Sequence, residues 1–163
     1  MEIICPCCEN SIKNPKHLFD YSKTKYLICY ECGSYFQEKM KSPSYEESNW
    51  TSIIDPDGKI RDMTKEREFK LKNWYGEAIN FVNNLKPGKI LDIGAGLGFF
   101  LSDISDKWEK SAIEPSSFAQ NYITKNYSDV NIINEINLNS KNKNYYDVIM
   151  FYHVIEHLEN PIE

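Results

Sequence analysis

All five cysteines of the 163-residue chain lie near its start, and four of them form two Cys-x-x-Cys pairs. The pairs are Cys5 with Cys8 and Cys29 with Cys32, and 20 residues separate them. Four thiolates can surround one Zn²⁺ ion as a tetrahedron, which makes a closed and therefore structural site. Disulfides, which are rare in cytosolic proteins, and an iron–sulfur centre are the alternatives. We therefore predict a structural zinc site, with Cys7 as an extra thiol.

A second set of residues with chemical potential lies further along the chain. Asp92 is near the end of an apolar run, and glycines follow it at positions 94, 96 and 98. Glycine lets the backbone turn sharply and approach a ligand closely. Glu114 ends the next apolar run, where a carboxylate can accept hydrogen bonds from both ribose hydroxyls of a nucleoside cofactor. The glycines alone are also consistent with a simple strand-to-helix turn, whereas the two carboxylates favour a nucleoside-binding crevice.

The spacing of the glycines and the position of Asp92 distinguish between nucleoside cofactors. Dinucleotide enzymes usually carry Gly-x-Gly-x-x-Gly and place a pyrophosphate on the N-terminus of the helix that follows. Here the third glycine comes one residue early, and Asp92 would repel a pyrophosphate. A carboxylate at this point suits a cofactor that carries an amino group and a sulfonium. The residues therefore favour S-adenosylmethionine.

The elements that must position these residues alternate between strand and helix. A helical pattern begins at Thr64, a candidate cap, and ends at Pro87-Gly88. Beyond it we predict strands at 89–93, 111–114, 130–133 and 146–151, with helices at 98–106 and 116–126. This alternation predicts an α/β fold with a Rossmann-like parallel sheet. The predicted organisation is a zinc-ribbon-like module at 1–40, an irregular linker at 41–63 and the sheet domain at 64–163. We expect Tyr26, Leu27, Tyr35 and Phe36 to form the core of the module.

Composition and charge disfavour a nucleic-acid partner and favour a small-molecule substrate. Hydrophobic residues make up 41% of the chain, enough for a packed core, and the formal net charge is -5. Lysines and arginines are not clustered, so nothing resembles the basic footprint of a nucleic-acid-binding protein. No apolar run reaches the length of a membrane span, and the start of the chain lacks a signal-peptide pattern. We expect a cytoplasmic protein with a small-molecule substrate and no membrane partner.

Three segments together resemble the class I S-adenosylmethionine-dependent methyltransferases. Residues 89–98 are similar to the first motif of that family. Residues 108–116 resemble its second-strand signature, in which an acidic residue followed by Pro-Ser holds the ribose. Residues 146–158 resemble the fourth strand and the loop after it. The resemblance covers 64–163. With the cysteine module, the chain resembles bacterial methyltransferases that act on sugars or other small metabolites, and also some ribosomal RNA methyltransferases with N-terminal zinc modules; the acidic net charge favours the former.

The resemblance implies a role for each matching residue. Asp92, Gly94, Ala95 and Gly96 would contact the methionine part of the cofactor, at the turn that Gly98 completes. Glu114 would hold the ribose, with Pro115 and Ser116 shaping the adenine pocket. The other implied cofactor contacts are Glu135 and Ile136 beside the adenine, and Phe151, Tyr152 and His153 near the methyl group. In similar enzymes the segment before the sheet helps to cover the substrate, with Tyr45 or Trp50 as candidates here.

His153 and His157 are the candidate catalytic residues. A histidine that faces the methyl group can act as a general base on a substrate hydroxyl or amine. The alternative is that His153 forms a wall of the cofactor pocket and that His157 packs the loop. Methyl transfer often needs mainly alignment of the acceptor with the sulfonium, so a base is not required.

The resemblance stops short of the family's full sheet. The family fold has seven strands, and this sequence ends after the fourth, so we expect an incomplete sheet in the order 3-2-1-4. That order contains the switch point between the first and fourth strands, where the cofactor lies. The fourth strand would be an open apolar edge, which predicts a homodimer formed by strand pairing.

The leading hypothesis is a zinc-containing, S-adenosylmethionine-dependent methyltransferase that acts on a sugar nucleotide or a glycan precursor. One alternative is a truncated protein that binds S-adenosylmethionine without catalysis. The other is an RNA methyltransferase that uses the zinc module to bind RNA.

Overall fold

The structure is a computed structural model that describes residues 3–13, 16–21, 24–38, 45–133 and 144–158. The chain divides into two compact units. The first comprises Met1–Pro43 and His153–Glu163, and the second comprises Ser44–Tyr152. None of the helices in the described ranges is long and apolar enough to cross a membrane.

Short antiparallel strands build the first unit. They are β1 (Ile3–Ile4) paired with β2 (Ser11–Ile12), and a sheet of β3 (Lys16–Tyr21), β4 (Thr24–Ile28) and β5 (Tyr35–Gln37) in that order. Leu27 is buried as predicted, but Tyr35 is 69% exposed and does not belong to the core. Adjacent residues of a strand point to opposite faces, so Tyr35 cannot share the buried side with Phe36, which pairs with Leu27. A 3₁₀ turn at Ile155–His157 also belongs to this unit.

A four-stranded parallel sheet forms the centre of the second unit. Its strands are β8 (Lys89–Ile93), β9 (Glu109–Ile113), β10 (Val130–Ile132) and β11 (Val148–Phe151). They lie in the order β10-β9-β8-β11, and all three pairings are parallel. The predicted order 3-2-1-4 is therefore confirmed. The switch point lies between β8 and β11, where Asp92 pairs with Met150.

A short helix and a hairpin precede the parallel sheet in the sequence, and hydrophobic periodicity did not predict either of them. Residues 45–63, expected to be irregular, contain α1 (Ser48–Thr51) and a hairpin of β6 (Ile53–Ile54) and β7 (Ile60–Arg61). The hairpin forms because Asp55 and Lys59 close a turn around Gly58, which has a positive φ of 82°. Strands of two residues are too short to show an alternating pattern in the sequence.

The helical segment before the sheet is interrupted rather than continuous from Thr64. A 3₁₀ turn at Met63–Lys65 is capped by Asp62, whose side chain accepts a hydrogen bond from the backbone of Thr64 at 3.0 Å. The helix then runs as α2 (Arg67–Lys70), a π-helical turn (Leu71–Tyr75) and α3 (Gly76–Asn83). Thr64 is therefore not the cap.

Two helices flank the sheet beyond the glycines. The first, α4, is shorter than predicted (Phe99–Ser102), and the second, α5, spans Ser117–Asn126. The main core joins both helices and α3 to the strands. Its buried members include Ile79, Val82, Ile90, Phe100, Leu101, Trp108 and Ile123.

Candidate functional site

The glycine turn, residues 94–98, links β8 to α4 and forms hydrogen bonds to the neighbouring strand β9. The backbone N–H groups of Gly94 and Ala95 both donate to the carbonyl oxygen of Ile113, at 2.8 and 3.1 Å. Gly94 and Gly96 have φ values of 73° and 56°, in the left-handed region that favours glycine. This turn therefore lies at the carboxyl end of both central strands, which is where ligands bind in open α/β sheets.

Gly98 is needed for the close packing of α5 against the glycine turn. A Cβ atom at Gly98 would lie 2.8 Å from Cγ1 of Ile123, so only glycine lets α5 approach the turn this closely. Its φ of 74° also lies in the left-handed region. The predicted cofactor contact of Gly98 stays a prediction, and the structure explains the residue through helix packing.

Asp92 provides the first carboxylate of the crevice. It is 4% exposed and lies on β8 two residues before the glycine turn. Burial, and secondarily the charge of Glu114, raise the pKa of Asp92 to about 7. A cationic group beside Asp92 would favour its ionised form, because an opposite charge lowers the pKa of a carboxyl group.

Glu114 provides the second carboxylate, directly after β9. Its Oε2 accepts a hydrogen bond from the backbone N–H of Gly96, and its Oε1 accepts one from that of Ser116, both at 2.8 Å. Burial raises the pKa of Glu114, and the two N–H groups oppose that shift. Each carboxylate oxygen can accept a second hydrogen bond, so the fixed side chain retains capacity for two ligand hydroxyls.

Ser116 lies two residues after Glu114 and forms several hydrogen bonds at the start of α5. Its fully buried hydroxyl caps α5 by accepting a hydrogen bond from the backbone of Ala119, at 3.3 Å. The same oxygen accepts one from Nε1 of Trp50 at 3.0 Å. Pro115, between Glu114 and Ser116, is exposed.

Aromatic rings flank the same edge of the sheet. The ring of Tyr75 packs edge-on against Tyr152 at 4.9 Å and against Phe100 at 5.9 Å between centroids. Burial raises the pKa of Tyr75, with the nearby charge of Asp92 as the second cause. No motif in the sequence marks Tyr75 as a site residue. Its signal was hidden because the π-helical turn that ends at Tyr75 leaves no mark in residue type.

Five further residues were predicted for the site, namely Glu135, Ile136, Phe151, His153 and His157. Glu135 and Ile136 lie outside the described residues. His153 and His157 belong to the first unit, where Nδ1 of His153 lies 3.1 Å from Oε1 of Glu156. Phe151 ends β11 and is 43% exposed. The catalytic and cofactor roles of these residues stay predictions.

The four predicted zinc ligands come together in the first unit. The Sγ atoms of Cys5, Cys8, Cys29 and Cys32 all lie within 4.8 Å of one another. The Cys5–Cys32 and Cys8–Cys29 pairs are both 3.7 Å apart, too long for a disulfide of about 2.05 Å. A tetrahedron with Zn–S bonds of about 2.3 Å has S–S edges of about 3.8 Å, so the cluster fits a zinc ion.

Each Cys-x-x-Cys pair lies in a tight turn, or zinc knuckle, and the knuckles at residues 5–9 and 29–33 have the same backbone hydrogen bond. The N–H of Glu9 donates to the carbonyl of Cys5 at 2.9 Å, and that of Gly33 donates to the carbonyl of Cys29 at 2.8 Å. Glu9 and Gly33 occupy equivalent positions, with positive φ values of 58° and 75°. Glu9 is therefore the strained member of the pair, because the left-handed region disfavours a residue with a Cβ.

Two further thiol properties bear on metal binding. The hydroxyl of Ser34 lies 3.1 Å from Sγ of Cys32, and hydrogen bonding from Ser34 lowers the pKa of the Cys32 thiol to about 6. This favours the thiolate, which is the form that binds zinc. Cys7 is exposed and is not a member of the four-cysteine cluster.

Comparison with known proteins supports a methyltransferase domain in the second part of the chain. A family model described as a methyltransferase domain matches residues 64–163, which include the sheet, the glycine turn and both carboxylates. A search of curated proteins finds no match. S-adenosylmethionine is the cofactor expected for such a domain. Because the matched region exceeds half of the chain, the chain belongs to this methyltransferase-domain family.

Proposed function

We propose that this chain binds S-adenosylmethionine at the carboxyl edge of β8 and β9 and transfers its methyl group to a small molecule. The proposed acceptor is a sugar nucleotide or a glycan precursor. The observation that carries the proposal is the pair of buried carboxylates, Asp92 and Glu114, on either side of a glycine turn at the switch point of the sheet.

The two carboxylates have different tasks in this proposal. Glu114, fixed by the N–H groups of Gly96 and Ser116, accepts hydrogen bonds from the ribose hydroxyls. Asp92 attracts the amino group of the methionine part, and its negative charge disfavours a pyrophosphate there. The pair thus selects a cationic nucleoside over a dinucleotide.

The chemistry that the cofactor supplies when bound is an electrophilic methyl group on a sulfonium. The protein's contribution is to hold that group in line with the acceptor, which is mainly a matter of proximity and orientation. The faces of aromatic rings attract cations. Tyr75, packed against Tyr152 and close to the charge of Asp92, is therefore suited to face the sulfonium.

The charge of the chain favours a small acceptor over RNA. The net charge is -5, and RNA binding is dominated by contacts of lysine and arginine with phosphates. Four cysteine ligands would leave a zinc ion with no open position, so the proposed role of the cysteine cluster is structural. We further expect a cytoplasmic location and pairing of two chains through β11, whose Ile149 and Phe151 are exposed.

A product assay tests this function. The zinc-loaded chain is incubated with S-adenosylmethionine and a panel of sugar nucleotides, and S-adenosylhomocysteine is measured by mass spectrometry. We expect turnover with at least one sugar nucleotide and its loss in Asp92→Asn. The matched control is Asp106→Asn, the same chemical change at an exposed loop residue, which is expected to keep wild-type turnover.

Two outcomes would contradict the proposal. Turnover with an RNA transcript but with no sugar nucleotide would favour the RNA methyltransferase. Cofactor binding without turnover on any acceptor would favour a non-catalytic binding protein.

A further inference from the structure

The segment that begins at Tyr45 reaches the glycine turn from outside the sheet domain matched by the family model. Trp50, on α1, donates a hydrogen bond from Nε1 to the hydroxyl oxygen of Ser116 at 3.0 Å. The Ser116 hydroxyl donates in turn to the carbonyl oxygen of Tyr45 at 3.2 Å. Since Ser116 is fully buried, it ties the segment to the start of α5 at one defined point.

The other end of the Trp50 side chain lies on the glycine turn. A Cβ atom placed on Gly96 would lie 3.5 Å from Cη2 and 3.6 Å from Cζ3 of the indole. That is ordinary van der Waals contact, so the six-membered ring packs on the bare Cα of Gly96. Trp50 also packs against a small buried apolar cluster formed by Leu97, Phe99 and Ala119.

The two residues that Trp50 contacts are the same two that hold Glu114. Gly96 donates its N–H to one carboxylate oxygen of Glu114, and Ser116 donates to the other. The indole therefore bridges the two donors of that carboxylate. Tyr45 approaches the same group, since the charge of Glu114 adds to burial in raising the pKa of the Tyr45 phenol.

We propose that Trp50 forms an aromatic wall of the nucleoside pocket, against which the adenosine held by Glu114 packs. This inference rests on the function proposed above. The ribose hydroxyls find acceptors on Glu114, while the apolar faces of the nucleoside need a surface that excludes water. Aromatic side chains stack on the π-face of a base, and the indole, anchored by Ser116, presents a fixed plane beside Glu114.

Trp50 is thus a positioning residue for the cofactor rather than a cover for the methyl acceptor. Ser116 is unsuitable for testing this role, because its hydroxyl also caps α5 and its loss would disturb the fold. Trp50 is half-buried and is not a member of the main core, so we expect its replacement to leave that core intact.

The test is calorimetric titration of the full zinc-loaded chain with S-adenosylhomocysteine. We expect Trp50→Ala to bind about 10-fold more weakly than wild type, the loss of one stacking contact. Trp50→Phe keeps a ring but loses the hydrogen bond to Ser116, and we expect an intermediate loss. The matched control is Phe81→Ala, which removes an aromatic ring that is 66% exposed on α3.

A second measurement applies even if Trp50→Ala does not fold. The change in tryptophan fluorescence on adding S-adenosylhomocysteine is expected in wild type and strongly reduced in Trp50→Phe. Equal or tighter binding by Trp50→Ala, or an equal fluorescence change in Trp50→Phe, would overturn the inference alone. A folded wild-type chain that binds no S-adenosylhomocysteine would overturn the proposed function and this inference with it.

Discussion

The cysteine module and the parallel sheet are stabilised in different ways. Among the described residues of the first unit, the buried hydrophobic side chains are Cys5, Leu27 and Cys29, and two of these belong to the four-cysteine cluster. The second unit buries a continuous set of aliphatic and aromatic residues between helices and strands. We therefore expect the module to depend on a metal ion for its stability, whereas the sheet has a core of its own.

Metal removal is expected to have the largest effect that distinguishes the cysteine module from the parallel sheet. A structural zinc site contributes about 10 kcal/mol or more to the stability of a small module, because the unfolded chain has no preformed site. We expect a strong chelator to unfold residues of the first unit while the parallel sheet keeps its fold. Backbone amide NMR spectra recorded before and after chelation measure this directly.

A matched pair of variants sharpens the result. Cys29→Ser removes a buried ligand and is expected to abolish stoichiometric zinc, whereas Cys7→Ser changes an exposed thiol outside the cluster and is expected to keep it. Equal zinc content in the two variants would show that the cluster is not the metal site.

Truncating the core of the second unit is the next largest change. Leu101 is fully buried in the main core, and Leu→Ala substitutions at such positions cost about 3 kcal/mol through lost burial and a residual cavity. We expect Leu101→Ala to lower the free energy of unfolding of the sheet, measured with urea, and to leave the zinc content unchanged. A loss of zinc from this variant would contradict the distinction between the two regions.

The stability of the second unit is expected to depend on pH through Asp92. The raised pKa of about 7 means that the folded chain binds this proton more tightly than the unfolded chain, whose carboxyl has the ordinary value of 3.8. This contribution to folding is fully present below 3.8 and is lost as the pH rises to about 7. Asp92→Asn, which stays neutral, is expected to be more stable than wild type at pH 8 by a few kcal/mol, because each unit of pKa shift corresponds to about 1.4 kcal/mol.

Thermal unfolding of both chains at pH 5.5 and pH 8 checks this difference. The fluorescence of Trp108, buried in the main core, reports on the second unit. Cofactor binding by wild type is expected to change in the opposite sense, strengthening as the pH rises through about 7 and Asp92 ionises. Identical pH profiles for wild type and Asp92→Asn would contradict the assignment.

The smallest expected effect compares the two zinc knuckles. Gly33→Ala places a Cβ at a φ of 75°, where no atom lies within 4 Å, so its cost is conformational and is about 1 kcal/mol. Glu9→Gly relieves the strained φ of 58°, and its gain is smaller because glycine also loosens the unfolded chain. Competition with a zinc-binding dye is expected to show weaker binding for Gly33→Ala and tighter binding for Glu9→Gly.

Much of the second unit's sheet was predictable from the sequence. The apolar runs of β8, β9 and β11 predicted these strands, whereas the order of the strands was implied by the resemblance to the methyltransferase family and is confirmed. The start of α5 was predicted as well, because Ser116 is a residue type that favours helix caps. The cluster of four cysteines was predicted from the spacing of the two Cys-x-x-Cys pairs alone.

Other features depend on contacts that residue type does not encode. The π-helical turn at Leu71–Tyr75 changes hydrogen-bond partners without changing helical periodicity enough to be read from the sequence. The partners of Glu114 are backbone N–H groups, which every residue but proline carries, so no side-chain pattern marks them. The contact of Trp50 with Ser116 joins residues 66 positions apart.

The central claim is that Glu114 binds the ribose of S-adenosylmethionine. The most direct test is calorimetric titration of wild type and Glu114→Gln with S-adenosylhomocysteine, with the exposed Glu77→Gln on α3 as the matched control. We predict binding by wild type and Glu77→Gln, and about 100-fold weaker binding by Glu114→Gln, because the neutral side chain loses two charge-assisted hydrogen bonds to the ribose. Unchanged affinity in a folded Glu114→Gln chain would contradict it.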